Sequence, residues 1–421
     1  AVILWNEKEQ IAELDAFSNE DFIDINKFNT YPAVLQQFIF NGQSEIVTDP
    51  ESVKSTGIFH SDLQSIIYAP LKVIQRVLGV LILGSRETIQ YTAADLKLLT
   101  TLALQASAAI ESSLLYEKNI REAKEREDAM RLVYEATGKF VPYEFIGSLG
   151  HKMLTEVKLG DQVEKIVTVL FCDIRDYTTL AEDMTPEENF RFVCSFNERM
   201  GPAIRRNKGF INQYLGDAIM AIFPGNAMDA LGAAIEMQQQ VNHLNKTRLA
   251  NNQMPIQIGI GMHTGPLIMG ITGDEGRMDA ATISDTVNTA SRLENLTKYY
   301  KASIVISEAC VNQVTDKEQF YLRYLGPVRL KGKKEPVHIH ECFANDPEPV
   351  KLKKQKTLPL FNMGVENYLN SHFADAATAF MHITNDNPGD LTSQFFLSKA
   401  HSFLNEGASI KWSGIVEMEN K

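Results

Sequence analysis

Ile166-Val167-Thr168-Val169-Leu170-Phe171-Cys172-Asp173-Ile174-Arg175-Asp176-Tyr177-Thr178 decides the fold of this 421-residue chain. The first six residues form a β-branched, nearly continuous apolar run, the pattern of a buried central strand. That strand delivers Asp173 at its end. A second aspartate lies 44 positions further on, in Phe210-Ile211-Asn212-Gln213-Tyr214-Leu215-Gly216-Asp217-Ala218-Ile219-Met220-Ala221-Ile222-Phe223, which reads as two strands meeting at Gly216-Asp217. A lone Gly-Asp pair is ordinarily no more than a turn. Two carboxylates brought together on neighbouring strands, however, can hold a pair of Mg²⁺ or Mn²⁺ ions, which clamp a phosphate between attacking and leaving oxygens.

Three further motifs follow in order: Ile258-Gly259-Ile260-Gly261-Met262-His263-Thr264-Gly265, Thr282-Ile283-Ser284-Asp285-Thr286-Val287-Asn288-Thr289-Ala290-Ser291-Arg292-Leu293-Glu294, and Leu330-Lys331-Gly332-Lys333-Lys334. Together with the aspartate segments they resemble the catalytic domain of class III nucleotidyl cyclases, in register to Cys342. The resemblance implies an α/β (α+β) domain with a ferredoxin-like βαββαβ core. It also implies that Asp173, Asp217 and the Ile174 carbonyl bind two Mg²⁺ or Mn²⁺ ions per site. The backbone N–H groups of Arg175, Asp176, Tyr177 and Thr178 would receive the triphosphate at a helix start. Asn288 would orient the ribose, Arg292 would stabilise charge on the transferred phosphate, and Lys331 would bind the terminal phosphates. Independently of the family, Asn288 and Arg292 stand four apart in a helical stretch and so share a face, and a planar guanidinium suits a pentavalent phosphate.

Base recognition departs from the family pattern. Adenylyl cyclases usually carry Lys four residues before the second metal aspartate and Asp or Thr seven residues before the ribose-binding Asn; this chain has Gln213 and Ala281. A glutamine amide serves adenine, or guanine after a flip. Ala281 makes no polar contact, and Thr282 replaces it only if the strand slips by one residue, because strand neighbours face opposite sides. Missing contacts imply weak base discrimination. His263 reads as a satisfied core or surface histidine, and no side chain stands out as a general base.

Composition agrees with a soluble globular chain: 44% hydrophobic and 22% charged, with about three domains expected from the length. Lys plus Arg number 41 against 53 Asp plus Glu, a formal charge of −12, which disfavours nucleic acid as a partner. The basic run Lys351-Leu352-Lys353-Lys354-Gln355-Lys356 reads as a solvated linker. No apolar stretch approaches the roughly 20 residues that span a bilayer. The four cysteines, Cys172, Cys194, Cys310 and Cys342, show no CxxC spacing and fit a reducing, cytoplasmic compartment. The apolar start, Ala1-Val2-Ile3-Leu4-Trp5, suggests a chain continuing upstream, towards a sensor or a membrane anchor.

Residues 1–116 resemble a GAF sensor domain through Ala69-Pro70-Leu71, Leu78-Gly79-Val80-Leu81-Ile82-Leu83 and an Ala-rich helix from Thr92. GAF domains often bind small molecules, but the fold alone does not say which. Asn26-Lys27-Phe28 reads as surface. The seam Leu99, Leu102, Ala106, Ala109, Ser113, Tyr116, Ile120, Ala123, Glu127, Met130, Tyr134 alternates steps of three and four, a parallel coiled-coil pattern assigned to a linker helix at 117–140. Its first two turns are expected to lie on the GAF sheet instead. Residues 141–163 resemble a transducer element, 164–345 the catalytic domain, and 346–421 a helical tail with one tetratricopeptide-like unit, expected to pack as a structural cap.

The expectation is a homodimeric adenylate cyclase with composite sites, converting ATP to 3′,5′-cyclic AMP and pyrophosphate under GAF control. Two alternatives stand beside it: a catalytically impaired homologue serving as a signalling scaffold, and a cyclase with relaxed ATP/GTP selectivity.

Overall fold

A computed structural model describes residues 1–18, 22–47, 56–317, 319–406 and 412–418; the remainder of the expected 346–421 tail lies outside them. The chain divides into two compact units, Ala1–Glu135 and Ala136–Lys421.

The first unit is an antiparallel sheet in the order β2-β1-β5-β4-β3, with β1 at Val2–Asn6, β2 at Ile11–Ala16, β3 at Glu45–Val47, β4 at Ser65–Val73 and β5 at Arg76–Ser85. One face carries a core that includes Phe28, Phe38, Phe59 and Tyr68. Phe28 is fully buried, contrary to the surface reading of Asn26-Lys27-Phe28. Asp24 caps the helix Ile25–Thr30 through the N–H groups of Asn26 and Lys27, and Phe28, one turn on, then points inward against Phe38.

On the other face lies the helix Ala93–Thr137, whose Leu99, Ala103 and Ser107 are buried. The packed stripe runs through Ala103, whereas Leu102 of the expected seam is half exposed. An i, i+4 stripe is the straight-helix solution against a sheet, while the 3–4 alternation belongs to a helix facing another helix. Among the described residues this helix is also the one long and apolar enough to count as a candidate membrane span, unlike the expectation of none.

In the second unit, β6 (Gln162–Ile174), β7 (Phe210–Leu215), β8 (Ala218–Phe223) and β9 (Ile258–Gly273) form the order β9-β6-β8-β7, with helices Pro186–Arg206 and Ala227–Ala250 connecting them. This is the ferredoxin-like βαββαβ arrangement. The sheet extends beyond β9 through β11 (Ile304–Ser307), β13 (Val337–Cys342), β12 (Leu322–Arg329) and β14 (Val416–Glu417), while β10 (Met278–Ile283) folds back on β9. The two helices bury one face of the sheet with Phe196, Met200, Leu231 and Met237. The opposite face holds Phe145, Val169, Phe171, Met220, Met269 and Ala290.

The tail packs on this unit. Helices Leu358–Leu369, Phe373–Asp386 and Leu391–Glu406 share a core with Leu293, Leu296, Tyr300, Leu325 and Val328. Gly364 lets the Phe380 ring approach; an added Cβ would lie 3.0 Å from it. The basic run is not a solvated linker but a helix, Glu348–Lys356, with Lys354 only 4% exposed. Its ammonium pairs with Glu341 at 2.7 Å and Asp346 at 2.6 Å, which compensates the desolvation that the run alone gave no reason to expect.

Candidate active site

Asp173 is the penultimate residue of β6, and Asp217 sits in the two-residue turn between β7 and β8. Gly216 takes a positive φ of 68° there, which glycine adopts without cost. Because β8 pairs antiparallel with β6, the turn returns Asp217 to the end of the strand that carries Asp173. The two carboxyls lie within hydrogen-bond reach. Burial first, then that hydrogen bond and the Asp173 charge, push the Asp217 carboxyl up to about 7. Lys298 opposes the shift. A crowded acidic pair that must share a proton is the donor set a hard divalent cation takes. Among the described residues no group of three or more His, Cys, Asp or Glu is arranged to hold a metal, so further oxygens have to come from a backbone carbonyl such as Ile174 or from a ligand.

Behind the pair lies Glu294, to which no role was assigned from sequence. It is 5% exposed, and its Oε1 has no hydrogen-bond partner. Burial and the neighbouring Asp173 raise its carboxyl to about 7. The helix Asp285–Tyr300 that carries it sits against Gly259 and Gly261 of β9, where an added Cβ would meet Glu294 Oε1 at 2.7 Å and Glu294 N at 2.0 Å. The Gly-x-Gly of that strand was the readable signal for this close approach.

Past Asp173 the chain turns through Asp176, which has φ 54° and ψ 31°, into the short helix Tyr177–Glu182. The N–H groups of Asp176, Tyr177 and Thr178 lie at this turn. That of Arg175 is already spent on the Gln257 carbonyl at 2.9 Å, because the sheet ladder runs one residue past β6. The Arg175 side chain turns away as well, donating to the Ala302 carbonyl at 2.7 Å.

Asn288 and Arg292 do share a face of the helix Asp285–Tyr300. The Arg292 guanidinium donates to the Lys331 carbonyl, and Lys333 pairs with Asp285 at 2.5 Å, so the helix and the β12–β13 loop are tied together. Arg292 and Lys331 are thus brought together by the first of these bonds. His263 is half buried and bonded through Nδ1 to Ser307 Oγ at 2.8 Å, the satisfied histidine expected.

Gln213 and the β10 residues border a groove of about 1000 Å³ that also takes in Pro142 and Phe145. On β10, Ala280 lies opposite Ile271 and Thr282 opposite Met269, both core residues, whereas Ala281 lies opposite Gly270. Thr282 therefore faces the Met269 side without any strand slip, and Ala281 the other side.

Residues 160–341 match the adenylate and guanylate cyclase catalytic domain, and residues 13–112 match the GAF domain. The second unit thus contains a class III cyclase catalytic domain. The chain is 38% identical over 268 residues to an adenylate cyclase of Anabaena cylindrica, covering 62% of this chain and 51% of that protein. It is 33% identical over 267 residues to the terminal-differentiation specific adenylate cyclase of Dictyostelium discoideum, covering 62% of this chain and 12% of that one. Among solved structures, the adenylyl cyclase CyaB from P. aeruginosa is 28% identical with a TM-score of 0.39, over 43% of this chain and 94% of the other. The chain thus spans about half the length of the first relative and a small part of the second.

Proposed function

We propose that the protein is an adenylate cyclase, converting ATP to 3′,5′-cyclic AMP and pyrophosphate in a homodimer whose GAF domain regulates the output. The observation that carries this reading is the Asp173–Asp217 carboxyl pair at the end of β6, inside the segment that matches the cyclase family. The names of the two relatives favour ATP over GTP.

Asp173 and Asp217, with the Ile174 carbonyl, would hold two divalent ions, whose chemistry would be to acidify the ribose 3′-hydroxyl and to neutralise charge on the leaving pyrophosphate. The N–H groups of Asp176, Tyr177 and Thr178 take the triphosphate. Asn288 orients the ribose, Arg292 stabilises the charge that develops on the α-phosphate, and Lys331 binds the terminal phosphates. The tie between Arg292 and Lys331 supports their acting on one phosphate chain. In the homodimer the aspartates of one protomer face Asn288, Arg292 and Lys331 of the other, as the likeness to the cyclase family implies.

The test is cyclic nucleotide production by the purified protein with Mn²⁺ and either ATP or GTP, beside Asp173→Ala. Cyclic AMP that falls at least about a hundredfold in the variant is the expected result. No cyclic product from either nucleotide by an intact dimer would favour the scaffold instead.

A further inference from the structure

Resting on the cyclase reading, we infer that Asn212 is a base-reading residue of this chain, paired with Thr282, and that this pair sets the preference for adenine. The β7–β8 ladder is irregular at one place. Phe210 lies opposite Ile222 and Ile211 opposite Ala221, but Gln213 lies opposite Met220, so Asn212 is an extra residue in β7. Such a bulge places two successive side chains on nearly the same face instead of alternating them. Gln213 shares the Met220 side by register, and the Asn212 amide reaches Met220 Sδ at 3.7 Å. Two amides therefore stand side by side where regular pairing would present one.

That face is the one Thr282 joins from β10. The Asn212 amide nitrogen donates to Thr282 Oγ1 at 3.5 Å, a link between strands that do not pair with each other. Asn212, Gln213 and Thr282 all line the groove beside Pro142 and Phe145, and both Asn212 and Thr282 are half buried. Ala281 borders the same groove but has no polar side-chain atom.

The polarity of the link matters. An isolated amide can rotate to present its donor and acceptor in either order, so Gln213 by itself serves adenine and guanine alike. Met220 Sδ can only accept, so the Asn212 NH₂ turned towards it and towards Thr282 leaves Oδ1 as an acceptor. Thr282, accepting at Oγ1, leaves its hydroxyl hydrogen as a donor. An acceptor beside a donor complements adenine, whose N6 amino group donates and whose N1 accepts. Guanine presents O6 as acceptor and N1–H as donor, the reverse order, and leaves both protein groups mismatched. Discrimination lost at Ala281 is restored one residue along each strand.

The experiment compares kcat/KM for ATP and for GTP in the full chain with Asn212→Asp, Thr282→Val and the double variant, each close to the original in size. Displacement of a fluorescent nucleotide by ATP and by GTP is measured alongside. Each single change should lower the ATP:GTP ratio by about three- to tenfold, the worth of one net hydrogen bond, and the double variant should lose less than the product of the two. The displacement ratio should move with it, so the pocket is tested even if no cyclic product forms and the cyclase reading itself fails. Two results would overturn the inference. One is an equal fall with both nucleotides, meaning that Asn212 only fills the bulge. The other is an unchanged ratio in kinetics and displacement alike while Gln213→Ala shifts it.

Discussion

At the scale of single residues, the groups around the site are governed by burial more than by their partners. His263 shows this best. Burial, reinforced by the Lys333 charge and opposed by Asp285, pushes its imidazole down to about 4. The unfolded chain binds a proton near the ordinary value of 6.5, so between pH 6.5 and about 4 the unfolded state holds more protons than the folded one. Stability at this position is therefore fully present above pH 6.5 and falls as pH drops towards 4. His263→Gln keeps a polar partner for Ser307 and removes the titration. Chemical denaturation from pH 7 to pH 4.5 should show the wild type losing more stability than the variant; parallel curves would refute the assignment. Glu294 and Asp217 obey the same physics with the opposite sign, since burial favours the protonated carboxyl.

At the scale of elements, the apolar run of β6, the hairpin at Gly216-Asp217 and the helix carrying Asn288 and Arg292 were legible because each follows from local periodicity or turn chemistry. Several of the misplaced readings depend on pairing at long range. The bulge at Asn212 exists only in relation to β8, and the facing of Thr282 is fixed by its register with Met269. Lys354 lies within a basic run that resembles solvated surface until Glu341 and Asp346 are brought to it from elsewhere in the fold. That network has a consequence for the tail. Arg323 of β12 bonds Glu341 of β13 at 2.5 Å and Asp390 beside the last tail helix at 2.7 and 2.8 Å, and all three are at most 2% exposed. Removing one partner of a buried pair strands the other charge, at a cost of about 3–5 kcal/mol. Asp390→Ala should therefore destabilise the tail and the catalytic sheet together. In calorimetry the part comprising residues 136–421 should melt in one transition, lowered in the variant. Two separated transitions, with only the minor one shifted, would show that the tail folds on its own.

At the scale of the whole molecule, the helix Ala93–Thr137 raises the question of assembly. It packs on the GAF sheet only along its first turns, through Leu99, Ala103 and Ser107, and beyond them its apolar residues stand exposed. Tyr116 is 68% exposed, Ile120 51% and Met130 69%, and all three belong to the heptad seam. A second copy of the helix would cover such a seam, and the homodimer proposed above would form along it. Assembly then bears on chemistry through the composite site proposed above, in which the aspartates of one protomer work with Asn288 and Arg292 of the other. Ile120→Lys, which puts a charge into the seam while leaving the GAF-facing stripe untouched, should shift the protein from dimer to monomer in sedimentation. Cyclic AMP production should fall in the same proportion and return as protein concentration is raised, since mass action restores the dimer. A variant that stays dimeric would place the contact on the catalytic domains themselves, and a monomer with full activity would rule out the composite site.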